Sequence, residues 1–364
     1  MKRLHDSNPS HKGFQYIRTY NETFDVEGPV GTHVVLVQEP MREPLRQFRK
    51  RFKGDKLPPK ILKGYMQYWL SALDYMHSQA HVVHTGMDQP RPPIDLLFQP
   101  SSLTNRHPPD IKDDNILMTF ESPSILSTFE STLHKNPMPY KPTRHNRRIY
   151  QTHSSFGSLS SLSLIPSLAD FGASHRMDGS NPSDFKLFPI QPRYYRAPEV
   201  ILGAGWSYPA DVWNLGVLAF TLLENHHLFR HVNTLETGDY DIKGHLAQMY
   251  ALLGPVPKHM MERIEGVCKQ KFEPEVENDK GEMCDTPRGY FGGPYFDGEG
   301  HLLDKELVPK DFTWDSRCSS LEGEEREGFL RLVKRMIKWD PEERAKAGEL
   351  VKDEWLTSDI GEVV

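Results

Sequence analysis

The stretch "SLADFGASH", from Ser167 to His175, decides how the rest of this sequence is read. An apolar entry of strand character delivers Asp170, and Phe171 and Gly172 follow directly. Taken alone, this is an ordinary Asp-x-Gly turn. Its chemical reading is a carboxylate carried out of a strand and offered to a metal ion, with Phe171 packed inward and Gly172 permitting an unusual backbone turn.

Upstream, "DIKDDN" runs from Asp110 to Asn115. Moving a phosphoryl group needs a carboxylate to orient the attacking hydroxyl, a cation to neutralise the transferred phosphate, and ligands for Mg²⁺. Asp110, Lys112 and Asn115 are residues of those three kinds, and Asp170 is a second metal carboxylate. An Asp/Lys/Asn run by itself is as well explained by a solvated turn. Downstream, "YYRAPEVILGAGWSYPADVWNLG" carries Arg196, Glu199 and Asp211, and "WDPEERA" carries Arg344.

With these segments in this order, from about residue 12 to 357, the sequence resembles the eukaryotic protein kinases, and most closely the serine/arginine-rich protein kinases of fungi. The resemblance implies an α+β, bilobal kinase-like fold: a mostly helical C-lobe and an incomplete, β-rich N-lobe. It implies that Asp110 and Lys112 are catalytic, that Asn115 and Asp170 hold Mg²⁺, and that "VLVQEPM" is a hinge. There Glu39 and Met41 would read the adenine of ATP through backbone groups, with Gln38 as gatekeeper and Leu117 as the floor. Glu199 would pair with Arg344 and Asp211 would anchor the catalytic loop, both structural roles. Arg196 matches the wider group that includes the cyclin-dependent and MAP kinases. Lys112, two residues after Asp110, fits a serine/threonine rather than a tyrosine kinase.

The implied activity is transfer of the γ-phosphate of ATP to Ser/Thr of Arg/Ser-rich, splicing-type proteins, by a monomer in the cytoplasm or nucleus. The alternative is a catalytically impaired, truncated or mis-spliced product acting as a protein-binding scaffold.

Two departures from the family pattern stand out. His84-Thr85 is separated from Asp110 by the 24 residues 86–109, a proline-rich stretch with no helical period. Catalytic geometry has to be held within about half an ångström, so this stretch must loop out completely or spoil the site. It reads either as a genuine insertion or as translated intron. For the second reading, Gly86-Met87 can be encoded with a donor-like GTATG, Leu103-Thr104 with a branch-point-like CTAAC, and Pro109-Asp110 with an acceptor-like CAG; excision rejoins Thr85 to an Asp codon in frame. The other departure is before the hinge, where no glycine-rich loop, strand lysine or helical glutamate matches. The chain is expected to begin just after the regulatory helix. Residues 1–40 are then a remnant of the N-lobe with the hinge strand, and 41–360 the C-lobe, with inserts at 86–109, 119–166 and about 255–320.

Composition agrees with a globular domain: 364 residues, 37% hydrophobic and 26% charged. A net charge of −6 argues against nucleic-acid or membrane-surface binding. The three cysteines, Cys268, Cys284 and Cys318, lack metal-ligand spacing and fit a reducing setting. No signal peptide is evident, and the longest apolar run, "VWNLGVLAFTLL", is too short to span a bilayer.

Local patterns predict a buried strand over 32–40 and a core helix after Pro58, with Leu62, Tyr65, Met66, Trp69, Leu73 and Met76 three or four apart. They also predict a short strand at His81–His84, a buried helix at "DVWNLGVLAFTLLE" and an amphipathic one at "EEREGFLRLVKRMIKW". Residues 119–166, rich in Ser and Pro, read as an insertion with little regular structure.

Overall fold

The computed structural model describes residues 1–28, 31–84, 112–143, 148–151, 156–177, 184–234 and 238–358. The chain opens with α1 (Lys2–Asp6), whose Leu4 is buried; the Tyr75 hydroxyl donates to the Leu4 carbonyl at 2.7 Å. An antiparallel hairpin follows, β1 (Glu22–Gly28) with β2 (Gly31–Val37), in the register Phe24↔Val35. After this hairpin come β3 (Glu43–Pro44), α2 (Leu45–Phe48) and α3 (Pro59–Tyr75).

Prolines at 58 and 59 start α3 because a missing N–H costs nothing in a first turn. Its apolar stripe is the predicted one: Leu62, Met66, Trp69, Leu73 and Met76 are all fully buried. A single π-helical turn, Met76–Ala80, ends it, and His81 reverses the chain in the left-handed region with φ 53°. Then come β4 (Val82–Val83) and β5 (Ile116–Met118).

Residues 119–166 depart from expectation. They contain α4 (Ser124–Lys135) and a hairpin of β6 (Tyr140–Pro142) with β7 (Arg148–Tyr150). The overlooked signal is Ile125, Leu126, Phe129 and Leu133 at helical spacing. This segment has its own aromatic contacts, Phe120 and Phe129 on Phe156 at 4.9 and 4.7 Å. It is tied to the residue after Met41: Arg42, 2% exposed, pairs with Glu121 at 3.0 Å and donates to the Gly157 carbonyl at 2.7 Å.

Next are β8 (Pro166–Leu168), β9 (His175–Arg176), α5 (Pro198–Ile201) and α6 (Pro209–Glu224). After them run α7 (Ile242–Leu253) and α8 (Lys258–Val267). Strands β3, β5 and β8 form one sheet in the order β3-β5-β8, and β4 pairs with β9. Helix α6 is the axis of the helical lobe: from Ala210 to Glu224 every residue is buried. Phe220 meets Phe329 at 5.0 Å, and Phe329 meets Trp355 at 5.4 Å. The result is the expected α+β fold, with a large helical core and small antiparallel sheets.

The buried-strand expectation for residues 32–40 is corrected. The strand exists, yet Val34 is 70% exposed and Leu36 44%. A run of consecutive apolar residues signals a strand covered on both faces, but among the described residues this sheet has only β1 and β2 and neither face is covered. No helix among the described residues is long and apolar enough to cross a membrane. All three cysteines are free and buried, and burial pushes the Cys318 thiol up to about 12.

Candidate active site

The site is assembled around His84, the residue that follows β4. Asp211, in the first turn of α6, accepts the backbone N–H of His84 at 2.8 Å and lies 2.9 Å from His77 Nε2. The His84 ring lies 2.9 Å, through Nε2, from the Ala169 carbonyl and 4.8 Å from the Phe171 ring. A carbonyl can only accept, so Nε2 carries the proton and the buried Nδ1 is left without a hydrogen bond. Burial pushes the His84 pKa down against the opposing pull of Asp211, which keeps the ring neutral.

His84 therefore grips the residues on both sides of Asp170. Between them, Asp170 adopts φ 60° and ψ 63°. This left-handed conformation costs a non-glycine residue about 1 kcal/mol and persists only where the surroundings enforce it. Here the burial of Phe171 and the hydrogen bond to Ala169 enforce it, and the Asp170 residue stays exposed.

The Asn115 carbonyl accepts from the Ala169 N–H at 2.9 Å, and the Asn115 N–H donates to the Lys112 carbonyl at 2.9 Å. From there β5 runs antiparallel to β8 with Ile116 opposite Leu168 and Leu117 opposite Ser167. Asn115 precedes β5 and Asp170 follows β8, so one end of this ladder presents Lys112, Asn115 and Asp170 together. An amide oxygen and a carboxylate are hard donors of the kind Mg²⁺ takes. The donor set fits.

A brace that the sequence reading missed lies under this turn. Asp113, 8% exposed, pairs with Arg49 at 3.0 Å, and its carbonyl accepts the Arg46 N–H at 3.0 Å. Burial raises the Asp113 pKa, with Arg49 opposing. Asp114 meets the Arg46 guanidinium at 3.1 Å on the surface. The signal available in sequence was only an Arg-x-x-Arg spacing in a charged stretch, which any solvated helix also shows.

Beyond the expected hinge residues, the Arg42 N–H donates to the Met118 carbonyl at 2.8 Å and Pro44 pairs with Leu117. Met41 and Leu117 are thus brought close to one another, both half-buried. Glu39 is exposed, and its carbonyl accepts from the Arg18 guanidinium at 3.0 Å. The Gln38 side chain donates to the Thr19 carbonyl at 3.3 Å. Asp110, Thr85 and the stretch 86–109 lie outside the described residues.

The remaining candidates form a platform away from this cluster. Glu199 and Arg344, both with fully buried side chains, make a two-pronged ion pair at 2.6 and 2.7 Å, and Arg344 also donates to the Pro209 carbonyl at 3.0 Å. Arg196, 1% exposed, donates to the Ile190 carbonyl and lies over the rings of Tyr240 (4.8 Å) and Phe291 (5.1 Å). Gln191 is a second residue that sequence reasoning missed. In the left-handed region at φ 67°, its buried amide donates to the Ala210 carbonyl and accepts from the Ala197 N–H.

The protein kinase domain family matches residues 160–356. A serine/threonine protein kinase of Aspergillus fumigatus is 32% identical over 358 residues, covering 98% of this chain and 73% of the relative. The serine/threonine-protein kinase SRPK of Physarum polycephalum is 26% identical, covering 92% of this chain and 70% of its own. The crystal structure of the PF14_0431 kinase domain superposes with a TM-score of 0.58 at 21% identity, covering 98% of this chain and 81% of that one. The chain belongs to the protein kinase family, and its relatives include serine/threonine kinases, SRPK among them, and the dual specificity protein kinase CLK4 of Homo sapiens. A protein kinase domain uses ATP, usually with Mg²⁺, and acts on protein substrates.

Proposed function

We propose that this chain transfers the γ-phosphate of ATP to serine or threonine hydroxyls of Arg/Ser-rich proteins. The observation that carries the reading is the Ala169–Asn115 hydrogen bond. That backbone contact puts residues Asn115 and Asp170 at one end of a ladder, with Lys112 in the same turn. Asp110 orients the substrate hydroxyl and takes its proton as the oxygen attacks. Lys112 offsets charge on the transferred phosphoryl group, and Asn115 and Asp170 would hold Mg²⁺, which when bound neutralises the phosphate oxygens. Met41 and Leu117 frame the adenine, and Glu39 contributes a carbonyl to it if Arg18 yields one of its two lone-pair directions. Glu199 and Arg344 hold the peptide platform rigid against the lobe, and Asp211 fixes the strand that precedes the catalytic loop.

Two things support the Arg/Ser-rich substrate class: the SRPK and CLK names among the relatives, and an overall charge of −6 that favours basic peptides. The test is ATP-dependent phosphorylation of an Arg/Ser-repeat peptide, beside a lysine-free acidic peptide and an Asp110→Ala variant. Incorporation into the Arg/Ser peptide alone, lost in the variant, is the expected result. Equal incorporation by the variant would dismiss the assignment.

A further inference from the structure

A cavity of about 710 Å³ lies between the end of α3, the start of α6, α8 and residues 341–347. Lys112, Asn115, Leu117 and Asp170 do not line it. Its volume is that of a drug-sized ligand site, and such sites combine an apolar wall with a few placed polar groups. The wall here is Phe185, Tyr208, Val212 and Val267.

The polar groups decide what it would take. Three acids line the cavity, and each already has a partner: Asp74 lies 3.3 Å from the His11 ring, Asp184 meets Lys186 at 3.3 Å, and Glu342 meets Arg263 at 3.1 Å. Two lining cations are also engaged. Arg263 donates to the Ala204 and Gly205 carbonyls, and Arg344 to Glu199. Lys346 and Ser207 are different: among the described residues neither side chain has a hydrogen bond or ion pair. Of the donors lining this cavity, these two are the ones open to an anionic acceptor beside the apolar wall.

We propose that the cavity binds an anionic amphiphile of the medium-chain fatty-acid class. Its carboxylate meets the Lys346 ammonium and the Ser207 hydroxyl, and its chain lies along Tyr208, Val212 and Val267. A ligand here also touches the catalytic machinery at one remove. His77 lines the cavity and lies 2.9 Å from Asp211, the carboxylate that holds the His84 N–H.

The experiment uses the full chain and three probes of equal chain length below their micellar range: decanoate, decanol and decyltrimethylammonium. Thermal shift and calorimetric titration are expected to show saturable binding of decanoate, weaker binding of decanol and none of the cation. Lys346→Glu lies on the surface and leaves the fold intact, and it should weaken decanoate roughly tenfold while Lys346→Arg restores it. Val267→Trp, which fills the wall, should abolish binding of decanoate and decanol alike. The proposal is overturned if decanoate does not bind, if the cation binds as well, or if Lys346→Glu leaves decanoate affinity unchanged.

Discussion

Glu199 and Arg344 show what a buried ion pair does in this lobe. Both side chains are fully buried and 145 residues apart in sequence. Such a pair contributes little net stability against a hydrophobic replacement, but removing one partner leaves the other charged and dry, which costs about 3–5 kcal/mol. Arg344→Met is accordingly expected to lower the urea midpoint by that equivalent, and Glu199→Leu combined with Arg344→Met to recover much of the loss. Asp170 is the opposite kind of residue, strained and exposed. Asn tolerates the left-handed region as well as Asp does, so Asp170→Asn should leave the melting temperature within a degree or two while removing Mg²⁺-dependent nucleotide binding, read by titration calorimetry. If that variant unfolds instead, Asp170 is a structural residue.

Among elements, the insertion around α4 and the β1–β2 hairpin respond to different forces. The insertion is fixed to the lobe by Arg42, which pairs with the fully buried side chain of Glu121 and caps the Gly157 carbonyl. Arg42→Met strands Glu121 without a partner, and cleavage by chymotrypsin between Phe120 and Phe156 is expected to accelerate markedly while the helical core stays protected. The hairpin has no such attachment on its faces. Val34, 70% exposed, can become Thr with a change within about 0.5 kcal/mol, whereas Leu73→Ala on the fully buried stripe of α3 should cost about 2–5 kcal/mol. Denaturant titration of the two variants side by side makes the comparison.

At the scale of the whole molecule, four buried or half-buried histidines are held neutral. Burial lowers His84 and His175, takes His227 down to about 4 and takes His245 to about 3. In the unfolded chain each titrates near 6.5. The unfolded state thus binds more protons below that pH, and the stability these groups contribute is complete above about pH 6.5 and is lost as pH falls toward 3. Glu224, whose burial is outweighed by hydrogen bonds from Ser319 and Ser320, acts in the same direction; Asp113, raised by burial, opposes. A melting temperature that declines steadily from pH 7 to pH 4 is expected, and a flat profile would contradict it. The sequence between Thr85 and Asp110 carries a separate expectation: transcripts read across codons 80–115 should include messages from which codons 86–109 are excised.

The sequence by itself determined the family, the α+β class, and helices α3 and α6. Those features rest on local chemistry: a 3.6-residue apolar period, or a short motif whose parts must be adjacent to function. It did not determine that Val34 and its neighbours face solvent, that residues 119–166 contain a helix, that Asp113 and His77 brace the site, or that Gln191 braces the platform. Burial of a strand depends on what lies across it, and a brace depends on a partner far away in the chain. Asp211 meeting His84 and Arg344 meeting Glu199 are contacts between residues 127 and 145 positions apart. Only the folded chain decides them, because close packing of the lobe sets which distant polar groups are left together out of water and must satisfy one another.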